Sequence, residues 1–346
     1  MSAEQRFISV ISGASTGAAA GFARIGLRIA ELAYTPLVAA RGVLFDRRIK
    51  AVTDLGRPTV SVGNITTGGT GKTPVTQWLT RRLLALGEKP AVLIRGYRSH
   101  NGISDEAELL RAPDVEVEAN PDRIAGARNV LQRAPHVSVF VLDDGFQHRR
   151  AARDFDLVLI DATNPFGFGH LLPRGLLRES PAALRRADAI LITHADKSAD
   201  IDALRSRIRS FAPAAPIFEC NHVIRGLIDA AGRPIAPNTI GVCAAVTGIG
   251  NPGAFFSGLG HIGVQLIETR TYNDHHRYTA TDVAELIELS RSCNRLIVTK
   301  KDWMKLQRIS GINQLPIARA VLEIDFVDGH ASRLMEQIRQ SALAAK

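Results

Sequence analysis

Residues 61–74, Ser-Val-Gly-Asn-Ile-Thr-Thr-Gly-Gly-Thr-Gly-Lys-Thr-Pro, constrain the fold of this chain more than any other stretch. The run that leads into it, residues 58–62, is short, β-branched and apolar, which predicts a buried strand. Glycines then allow the backbone to curl, and Lys72 and Thr73 open a helix. Backbone N–H groups of such a loop and of the helix N-terminus point at an anion. The stretch therefore predicts a strand–loop–helix unit that binds phosphate.

The loop departs at one position from the G-x-x-x-x-G-K-[ST] pattern of phosphate-binding loops, because Thr66 stands where the first glycine belongs. We interpret it as a variant loop; a glycine-rich turn before an ordinary helix is the alternative. We expect Lys72 to reach the terminal phosphates of a nucleotide and the Thr73 hydroxyl to bind Mg²⁺. The predicted nucleotide-binding residues are Thr66, Thr67, Gly68, Gly69, Thr70, Gly71, Lys72 and Thr73.

Short apolar runs alternate with helical patterns after this loop, and the runs at 91–94, 137–142, 157–160 and 189–192 are predicted strands. The alternation predicts an α/β fold of the P-loop NTPase type, a parallel sheet with helices on both faces. Segments 212–216 and 225–238 are rich in Pro, Gly and Ala, so we interpret them as a boundary or linker. The predicted domains are an N-terminal segment at 1–50, a P-loop core at 51–222 and a smaller C-terminal α/β domain at 223–346.

An acidic pair, Asp143 and Asp144, closes the predicted strand 137–142. An apolar strand that ends in Asp is typical of the Walker B arrangement, in which the carboxylate holds Mg²⁺ directly or through water. A simple Asp-Asp-Gly turn is the alternative. Residues 147–150, Gln-His-Arg-Arg, follow at once, and they are candidates for contact with an anionic substrate.

Two other segments carry groups suited to proton transfer. Asp105 follows the predicted strand 91–94; it either accepts a proton from an attacking hydroxyl or belongs to a helix N-terminus that Ser104 caps. His275, next to Asp274, either relays a proton or lies in a surface loop. Both interpretations stay open for each residue on the sequence pattern alone.

A long loop rich in Gly and Pro, residues 165–179, contains Arg174, Arg178 and Glu179. Loops of this length inside a compact domain are usually functional, although a disordered connector is the alternative. Guanidinium groups in such a loop are suited to binding phosphate through paired hydrogen bonds.

The chain is basic, with a net charge of +9 and a pI near 9.9, which favours an anionic partner such as nucleic acid, anionic lipid or a phosphorylated substrate. Aromatic residues make up only 5% of the chain, so the base-stacking residues of a nucleic-acid-binding ATPase are lacking. The three cysteines are scattered without a C-x-x-C, which indicates neither a disulfide framework nor a zinc site and suits a reducing cytosol.

An amphipathic helix is predicted near the N-terminus. It follows from apolar residues that recur at helical spacing, namely Phe22, Ile25, Ile29, Leu32, Ala33, Leu37 and Leu44. Basic residues lie on another face and follow the helix, and Pro36 is expected to kink or divide it. Such a helix either lies in a membrane interface or packs on the core of its own protein, and the pattern does not separate the two.

Taken together, these motifs resemble one family, the tetraacyldisaccharide 4′-kinases of lipid A biosynthesis. The resemblance runs from about residue 27 to the end of the chain. Its most specific elements are residues 61–74, Arg-Gly-Tyr at 95–97, Leu-Asp-Asp-Gly-Phe-Gln-His at 142–148, residues 171–179, Asp-His at 274–275 and Thr-Lys-Lys-Asp at 299–302.

The resemblance implies phosphorylation of the 4′-hydroxyl of a tetraacyldisaccharide 1-phosphate, with ATP and Mg²⁺ as cofactors. It implies a peripheral enzyme on the cytoplasmic face of the inner membrane, anchored by the N-terminal helix and in contact with anionic lipid. The catalytic residues that it implies, with Lys72 of the loop, are Asp105 as base, His275 as its partner, Asp144 and Arg178. The implied metal ligands are Thr73, Asp143 and Glu179. We expect a monomer that does not bind nucleic acid.

Three motifs depart from the family pattern. Ser104 and Ala107 replace residues of a Gly-Asp-Glu-Pro motif, Lys300 replaces a Glu, and Ser180 replaces a Pro. The segment before Asp105 is also shorter than usual. A different class of function, a P-loop NTP switch that regulates a protein partner, would share the phosphate-binding loop and the Walker B strand. ATP turnover without a lipid acceptor would distinguish that alternative.

Overall fold

The structure, a computed structural model, describes residues 3–96, 99–100, 103–274 and 276–344, with the backbone alone at 3–4, 99–100 and 103–106. Its strands pair mostly in parallel, which confirms the predicted α/β class. None of the helices in these ranges is both long and apolar enough to cross a membrane.

The helices, in chain order, are α1 (Ala3–Ser12), α2 (Ala18–Asp46), α3 (Lys72–Ala85), α4 (Asp105–Leu110), α5 (Arg123–Arg133), α6 (Ile201–Phe211), α7 (Pro252–His261), α8 (Ala280–Ser290), α9 (Lys300–Leu306) and α10 (His330–Ile338).

The strands are β1 (Thr59–Asn64), β2 (Pro90–Ile94), β3 (Ser99–His100), β4 (Ile103–Ser104), β5 (Glu116–Ala119), β6 (Val139–Asp143), β7 (Phe155–Asp161), β8 (Ala189–Thr193), β9 (Ile217–Asp229), β10 (Pro234–Ile235), β11 (Val242–Thr247), β12 (Gln265–Thr271), β13 (Arg295–Val298) and β14 (Ile317–Phe326).

The chain forms two compact units. Unit 1 comprises residues 1–97, 110–221 and 325–346, and unit 2 comprises residues 98–109 and 222–324. Strand β9 leaves unit 1 for unit 2, and strand β14 returns.

The sheet of unit 1 has the strand order β5-β2-β6-β1-β7-β8-β9, and each described pair is parallel. Strands β1, β2, β6 and β8 are buried along their whole length, as expected for a parallel sheet that helices cover on both faces. Strand β1 lies in the middle of the sheet, between β6 and β7, so the loop that follows it emerges at the centre of the carboxyl edge. Ligands of open α/β sheets bind at this edge.

Unit 2 has the order β12-β11-β13-β14-β9 and is also covered on two faces. Successive residues of β11 show this, since Ala244 and Val246 belong to a cluster with α8 and α9, whereas Cys243 and Ala245 belong to a cluster with α7. Alternation with a period of two is the geometry of a strand buried from both sides. Thr279 caps α8 and forms a reciprocal capping box with Asp282.

The compact units differ from the predicted domains in three segments, of which the first, residues 1–50, falls in unit 1 together with the P-loop core. Residues 325–346 return to unit 1, because the Val327 N–H donates to the Glu219 carbonyl at 3.1 Å and Leu334 and Ile338 of α10 are buried. Residues 98–109 belong to unit 2, where Lys300 donates to the Leu109 carbonyl at 2.9 Å. Strand β9 lies between the two segments interpreted as a boundary or linker and extends into the second of them, as far as Asp229, so the Pro and Gly content was a misleading signal there.

The N-terminal helix α2 contacts the rest of unit 1 through a stripe that is different from its apolar face. Glu31 and Phe45 are buried, and the Tyr34 hydroxyl donates to the Arg178 carbonyl at 3.1 Å. In contrast, Phe22 and Leu37 on the apolar face are 74% and 70% exposed. The interpretation in which this apolar face packs on the protein's own core is therefore wrong. The helix also continues through Pro36 without dividing.

Candidate active site

The phosphate-binding loop runs from the end of β1 at Asn64 to the start of α3. Gly68 and Gly71 have φ angles of 113° and 83°, a region that residues with a side chain rarely adopt, so glycine suits both turns. Thr70 is held from two sides: Asn64 Nδ2 donates to its hydroxyl at 2.8 Å, and the Thr193 hydroxyl donates to its carbonyl at 3.1 Å. Contacts within the protein thus fix the shape of the loop.

The structure explains why a threonine, and not a glycine, stands at position 66. Thr66 is buried and pairs with Leu177 in an antiparallel bridge, and the Thr67 N–H donates to the Leu176 carbonyl at 2.7 Å. An extended residue that pairs like a strand needs no glycine, whereas the tight turns of the loop come later. The variant loop is therefore attached to the loop that carries Arg178.

Asp143 ends β6 beside this loop and is almost completely buried. The Thr76 hydroxyl of α3 donates to Asp143 Oδ1 at 2.7 Å, and an Arg123 guanidinium nitrogen donates to its carbonyl at 3.2 Å. Burial raises the pKa of the Asp143 carboxyl above its usual value, because desolvation disfavours the charged form. A nearby cation would relieve this cost.

Asp144 is surrounded by positive charge. It adopts a left-handed conformation with φ 55°, Lys72 Nζ lies 3.4 Å from its Oδ1, and one guanidinium nitrogen of Arg178 donates to both carboxylate oxygens at 2.8 Å. Burial alone would raise the pKa of Asp144, but Lys72 and Arg178 outweigh it and hold that pKa below its usual value. Asp144 is therefore an anion that holds two cations beside the phosphate-binding loop.

Within the Gln-His-Arg-Arg segment, the Gln147 side chain forms hydrogen bonds with other residues of the protein. Its side-chain nitrogen donates to the Asn64 carbonyl at 2.8 Å, and its side-chain oxygen accepts from Arg178 at 3.3 Å. Burial and the charge of Arg123 lower the pKa of His148 to about 4, so this imidazole is neutral at physiological pH. Arg149 faces a cavity in the same unit.

That cavity has a volume of about 370 Å³ and lies between α2, the start of the phosphate-binding loop and the Arg178 loop. Its lining combines one aromatic residue with several guanidinium groups. These residues include Tyr34, Arg41, Arg95, Arg149, Arg178 and Glu179. The carboxylate of Glu179 is held by Arg186, whose two terminal nitrogens donate to it at 2.9 and 3.2 Å.

The two predicted proton-transfer residues lie at the limit of what the structure describes. Asp105 begins α4 in unit 2, but its side chain falls outside the described residues, as does the whole of His275. The neighbours of His275 are held by α9, since Lys301 Nζ lies 2.8 Å from Asp274 Oδ1 and Lys305 donates to the His276 carbonyl at 3.0 Å. The roles of Asp105 and His275 stay predictions.

The Thr-Lys-Lys-Asp motif organises unit 2 through Asp302, which is completely buried. Its carboxylate accepts hydrogen bonds from the hydroxyls of Thr247, Tyr278 and Thr299 at 2.9, 3.0 and 2.6 Å and from the Gly248 N–H at 3.1 Å. One anion thus joins the end of β11, the start of α9 and the segment before α8.

Comparison with known proteins decides the family. The family model described as tetraacyldisaccharide-1-P 4′-kinase matches residues 23–342. The chain belongs to this family. A tetraacyldisaccharide 4′-kinase of Anaeromyxobacter dehalogenans is 38% identical over 306 residues, which cover 81% of this chain and 80% of that one. The corresponding kinase of Geobacter metallireducens is 35% identical over 330 residues, covering 87% and 94%.

A solved structure, the "apo" form of LpxK from Aquifex aeolicus in complex with ATP, is similar to this chain with a TM-score of 0.72 and 24% identity. It covers 92% of this chain, and the alignment includes 99% of that one, which supports the same fold. Family membership makes the chain a kinase that acts on a sugar hydroxyl in lipid A biosynthesis and disfavours the NTP-switch alternative.

Of the predicted site residues, unit 1 brings together Lys72, Asp143, Asp144 and Arg178 around the phosphate-binding loop. Sequence reasoning missed Thr76 and Asn64, which position Asp143 and Thr70. Because Thr76 follows Thr73 in the same helix, its spacing from Thr73 was a weak signal that Thr76 belongs to the site. The bond from Asn64 to the loop offered none, because an Asn at a strand end has many alternative uses.

Proposed function

We propose that this kinase transfers the γ-phosphate of ATP, with Mg²⁺, to the 4′-hydroxyl of a tetraacyldisaccharide 1-phosphate at a membrane surface. The observation that carries the proposal is the group formed by Lys72, Asp144 and Arg178 beside the phosphate-binding loop. Phosphoryl transfer depends chiefly on positioning and on electrostatic stabilisation of the transferred group.

The loop supports ATP as the phosphate donor. Its glycines leave room for phosphate oxygens, since a Cβ built on Gly68 or Gly69 would meet no atom of the described residues within 4 Å. The backbone N–H groups at the start of α3 add the positive end of a helix dipole. The Aquifex aeolicus structure, solved in complex with ATP, is consistent with this assignment.

The residues at the loop also fit Mg²⁺. The Thr73 hydroxyl and the Asp143 carboxylate are hard oxygen ligands, and Mg²⁺ is usually held by one or two such groups together with substrate phosphates. The described residues contain no cluster of three or more His, Cys, Asp or Glu side chains that would form a complete protein site. When bound, Mg²⁺ would neutralise charge on the transferred phosphate. Glu179 remains a proposed ligand, although Arg186 already holds both of its oxygens.

Asp144 is better suited to holding cations than to accepting a proton. Its pKa is below the usual value, and a carboxylate with a lowered pKa is a weak base. We therefore assign Asp144 the task of directing Lys72 and Arg178 toward the phosphate. The general base is Asp105, with His275 as its partner, on the strength of the family resemblance.

The exposed face of α2 supports membrane association. Ile25, Ile29 and Leu32 are about 60% exposed, at 59%, 64% and 59%, on the same side of the helix as Phe22. A helix of this kind lies in the interface with its apolar side chains in the acyl region, and the net charge of +9 favours anionic lipid. The cytoplasmic face of the inner membrane is the location that the family resemblance implies.

The test is transfer of radiolabelled γ-phosphate from ATP to purified tetraacyldisaccharide 1-phosphate in detergent micelles, with Mg²⁺ and with EDTA. We expect label in the lipid with Mg²⁺ and none with EDTA. Label released only as inorganic phosphate, with or without lipid, would refute the kinase and support an NTP switch.

A further inference from the structure

The first helix, α1, lies outside the part of the chain that the family model matches, which begins at residue 23. It packs against α2, and Ile11 near its carboxyl end is only 2% exposed. The first residues of a domain are usually poorly ordered unless contacts hold them in place. The burial of Ile11 therefore shows that α1 is docked on the protein, and the question is what this docking does.

Two arginines hold the carboxyl end of α1. Arg174 Nη1 donates to the Ile11 carbonyl at 2.9 Å. Arg24 Nη1 donates to the carbonyls of Val10 and Ser15 at 3.4 and 2.8 Å. The last four carbonyl groups of a helix lack partners within it and carry the negative end of its dipole, so a guanidinium is a suitable partner. Arg174 is therefore engaged with α1, which differs from the phosphate-binding role that the sequence suggests for guanidinium groups of its loop.

Arg174 lies in a tight turn of the loop that carries Arg178. The Leu177 N–H donates to the His170 carbonyl at 3.1 Å, which closes the turn. Gly175 is packed so closely that a Cβ at this position would lie 2.3 Å from the His170 carbonyl oxygen. Closely packed segments transmit displacements because they contain little free space. A shift of Arg174 should therefore reach Arg178, which directly follows Leu177.

Different parts of unit 1 hold the two ends of this turn. At its end, the Arg178 N–H donates to the Ile65 carbonyl at 2.7 Å, beside the phosphate-binding loop. At its start, the Leu171 N–H donates to Glu31 Oε1 of α2 at 2.9 Å. Between them, Arg174 donates to α1. The N-terminal helices thus hold the turn on the side away from the phosphate-binding loop, and α1 does so through Arg174.

We propose that α1 positions the Arg178 loop through Arg174, so that Arg178 meets both carboxylate oxygens of Asp144 beside the phosphate-binding loop. Arg174 is then a positioning residue for the transfer reaction. The inference rests on the proposed function, in which Arg178 and Lys72 act on the transferred phosphate. Such a reaction is sensitive to small displacements, because a misplacement of about 1 Å can lower the rate by a factor of about a hundred.

The experiment measures kcat, and KM for ATP and for tetraacyldisaccharide 1-phosphate, with the full-length chain in non-ionic detergent micelles. Arg174→Gln removes the guanidinium, and Ile11→Ser removes the buried apolar side chain that docks α1. Arg174→Lys keeps the charge. Arg57→Gln is the matched control, because Arg57 also donates to a backbone carbonyl of unit 1, that of Val137 at 2.7 Å, but lies outside the Arg178 loop.

We expect Arg174→Gln and Ile11→Ser each to lower kcat about tenfold, the value of one hydrogen bond from a charged donor, with both KM values nearly unchanged. Arg174→Lys should recover part of the loss, and Arg57→Gln should show none. The combined variant Arg174→Gln/Ile11→Ser should be no slower than either single variant, because both remove the same contact. Losses that multiply to about a hundredfold would show that Arg174 and α1 act independently and would overturn the proposal.

A second cycle separates positioning from a loss of stability. If Arg174 acts through Arg178, adding Arg174→Gln to Arg178→Gln should not lower kcat further, whereas its effect on the free energy of unfolding should be the same in both backgrounds. A further loss of about tenfold in kcat would overturn the proposal. A rise in KM for the acceptor at unchanged kcat would show that Arg174 binds this substrate directly and would overturn it as well.

Two more outcomes concern the membrane and the reaction itself. In vesicle flotation, Ile11→Ser should bind vesicles that contain anionic lipid as well as the unaltered enzyme does. Weaker binding, together with a normal kcat in micelles, would assign α1 to the membrane and overturn its positioning role. If the unaltered enzyme transfers no phosphate to the acceptor, the proposed function itself fails, and the role of α1 with it.

Discussion

Arg178 reaches Asp144 with one guanidinium nitrogen that donates to both carboxylate oxygens at 2.8 Å. Asp144 is also 3.4 Å from Lys72, so one anion orients two cations that come from segments more than a hundred residues apart. The pair therefore couples the loop that ends at Arg178 to the phosphate-binding loop. Removal of the Arg178 guanidinium should therefore affect both the protonation of Asp144 and the position of Lys72.

The variant Arg178→Gln should move the acidic limb of the kcat/KM profile to higher pH. In the unaltered protein the pKa of Asp144 is below its usual value; without Arg178 it rises, so the carboxylate is protonated and releases Lys72 at a higher pH. The measurement is kcat/KM between about pH 5 and about pH 8. Arg185→Gln, which removes an exposed guanidinium elsewhere, should leave the limb in place. An unchanged limb in Arg178→Gln would show that Asp144 does not govern it.

The variant Lys72→Ala should reduce kcat by a factor of about 100 or more, because it removes a positive charge from the phosphate-binding loop. The fold should remain, since Lys72 opens α3 rather than filling the core and alanine favours helix. Circular dichroism would check the fold, and phosphate transfer the rate. Arg81→Ala, an exposed charge in the same helix, is the control. Near-normal turnover in Lys72→Ala would refute its phosphate-binding role.

The variant Asp105→Ala should lower kcat by a factor of about 100 to 10,000 while the dissociation constant for ATP stays nearly the same. This split is expected for a general base that acts on the acceptor hydroxyl and does not bind the nucleotide. Single-turnover kinetics and calorimetric ATP binding give the two quantities separately. Glu108→Gln, in the same short helix and paired with Arg308, is the control. If kcat is unchanged, the base must be another residue.

The variant Asp302→Ala should destabilise unit 2 by about 3 kcal/mol, because several buried donors lose their acceptor at once. Tyr278→Phe removes only one of these hydrogen bonds, so its cost should be about 1 kcal/mol. Urea denaturation, followed by a signal from Trp303, which packs in the same cluster, measures both. Equal stability of the two variants would contradict the role of Asp302 as a shared acceptor.

The double variant Ile25→Ser/Ile29→Ser should bind vesicles that contain anionic lipid about a hundredfold more weakly. Each residue loses roughly 1.5 kcal/mol of apolar transfer free energy, and 1.4 kcal/mol corresponds to about a factor of ten. Vesicle flotation measures the bound fraction. The control is Ile267→Ser, which removes an exposed isoleucine from unit 2. If the control weakens binding as much as the double variant, α2 is not the membrane contact.

The parts of the site that were predicted correctly in position are those encoded by contiguous patterns. An apolar strand followed by glycines and Lys-Thr marks β1, its loop and α3, and an apolar strand followed by Asp marks β6. These patterns are local because the backbone conformation of a few residues decides them. Helix α3 begins at Lys72, as the Lys-Thr pattern predicts, because left-handed Gly71 ends the loop.

The parts that could not be predicted depend on residues far apart in sequence. The bridge between Thr66 and Leu177 explains the missing glycine, yet neither residue carries a pattern that identifies its partner. Strand β9 was hidden for a related reason: glycine and proline near its ends resemble a linker, and its strand conformation comes from pairing with β8. The two interpretations of α2 were also inseparable, because helical periodicity identifies an apolar face but not what covers it.

Because β14 returns the chain to unit 1, that unit is completed by residues that follow all of unit 2. Trp78 of α3 has its ring centroid 4.5 Å from that of Phe326, and α10 buries Leu334 and Ile338. During synthesis on a ribosome, the phosphate-binding half would thus emerge first and be finished last. Domains usually fold in the order in which they leave the ribosome, so unit 2 should reach its native state while unit 1 still lacks its final helix.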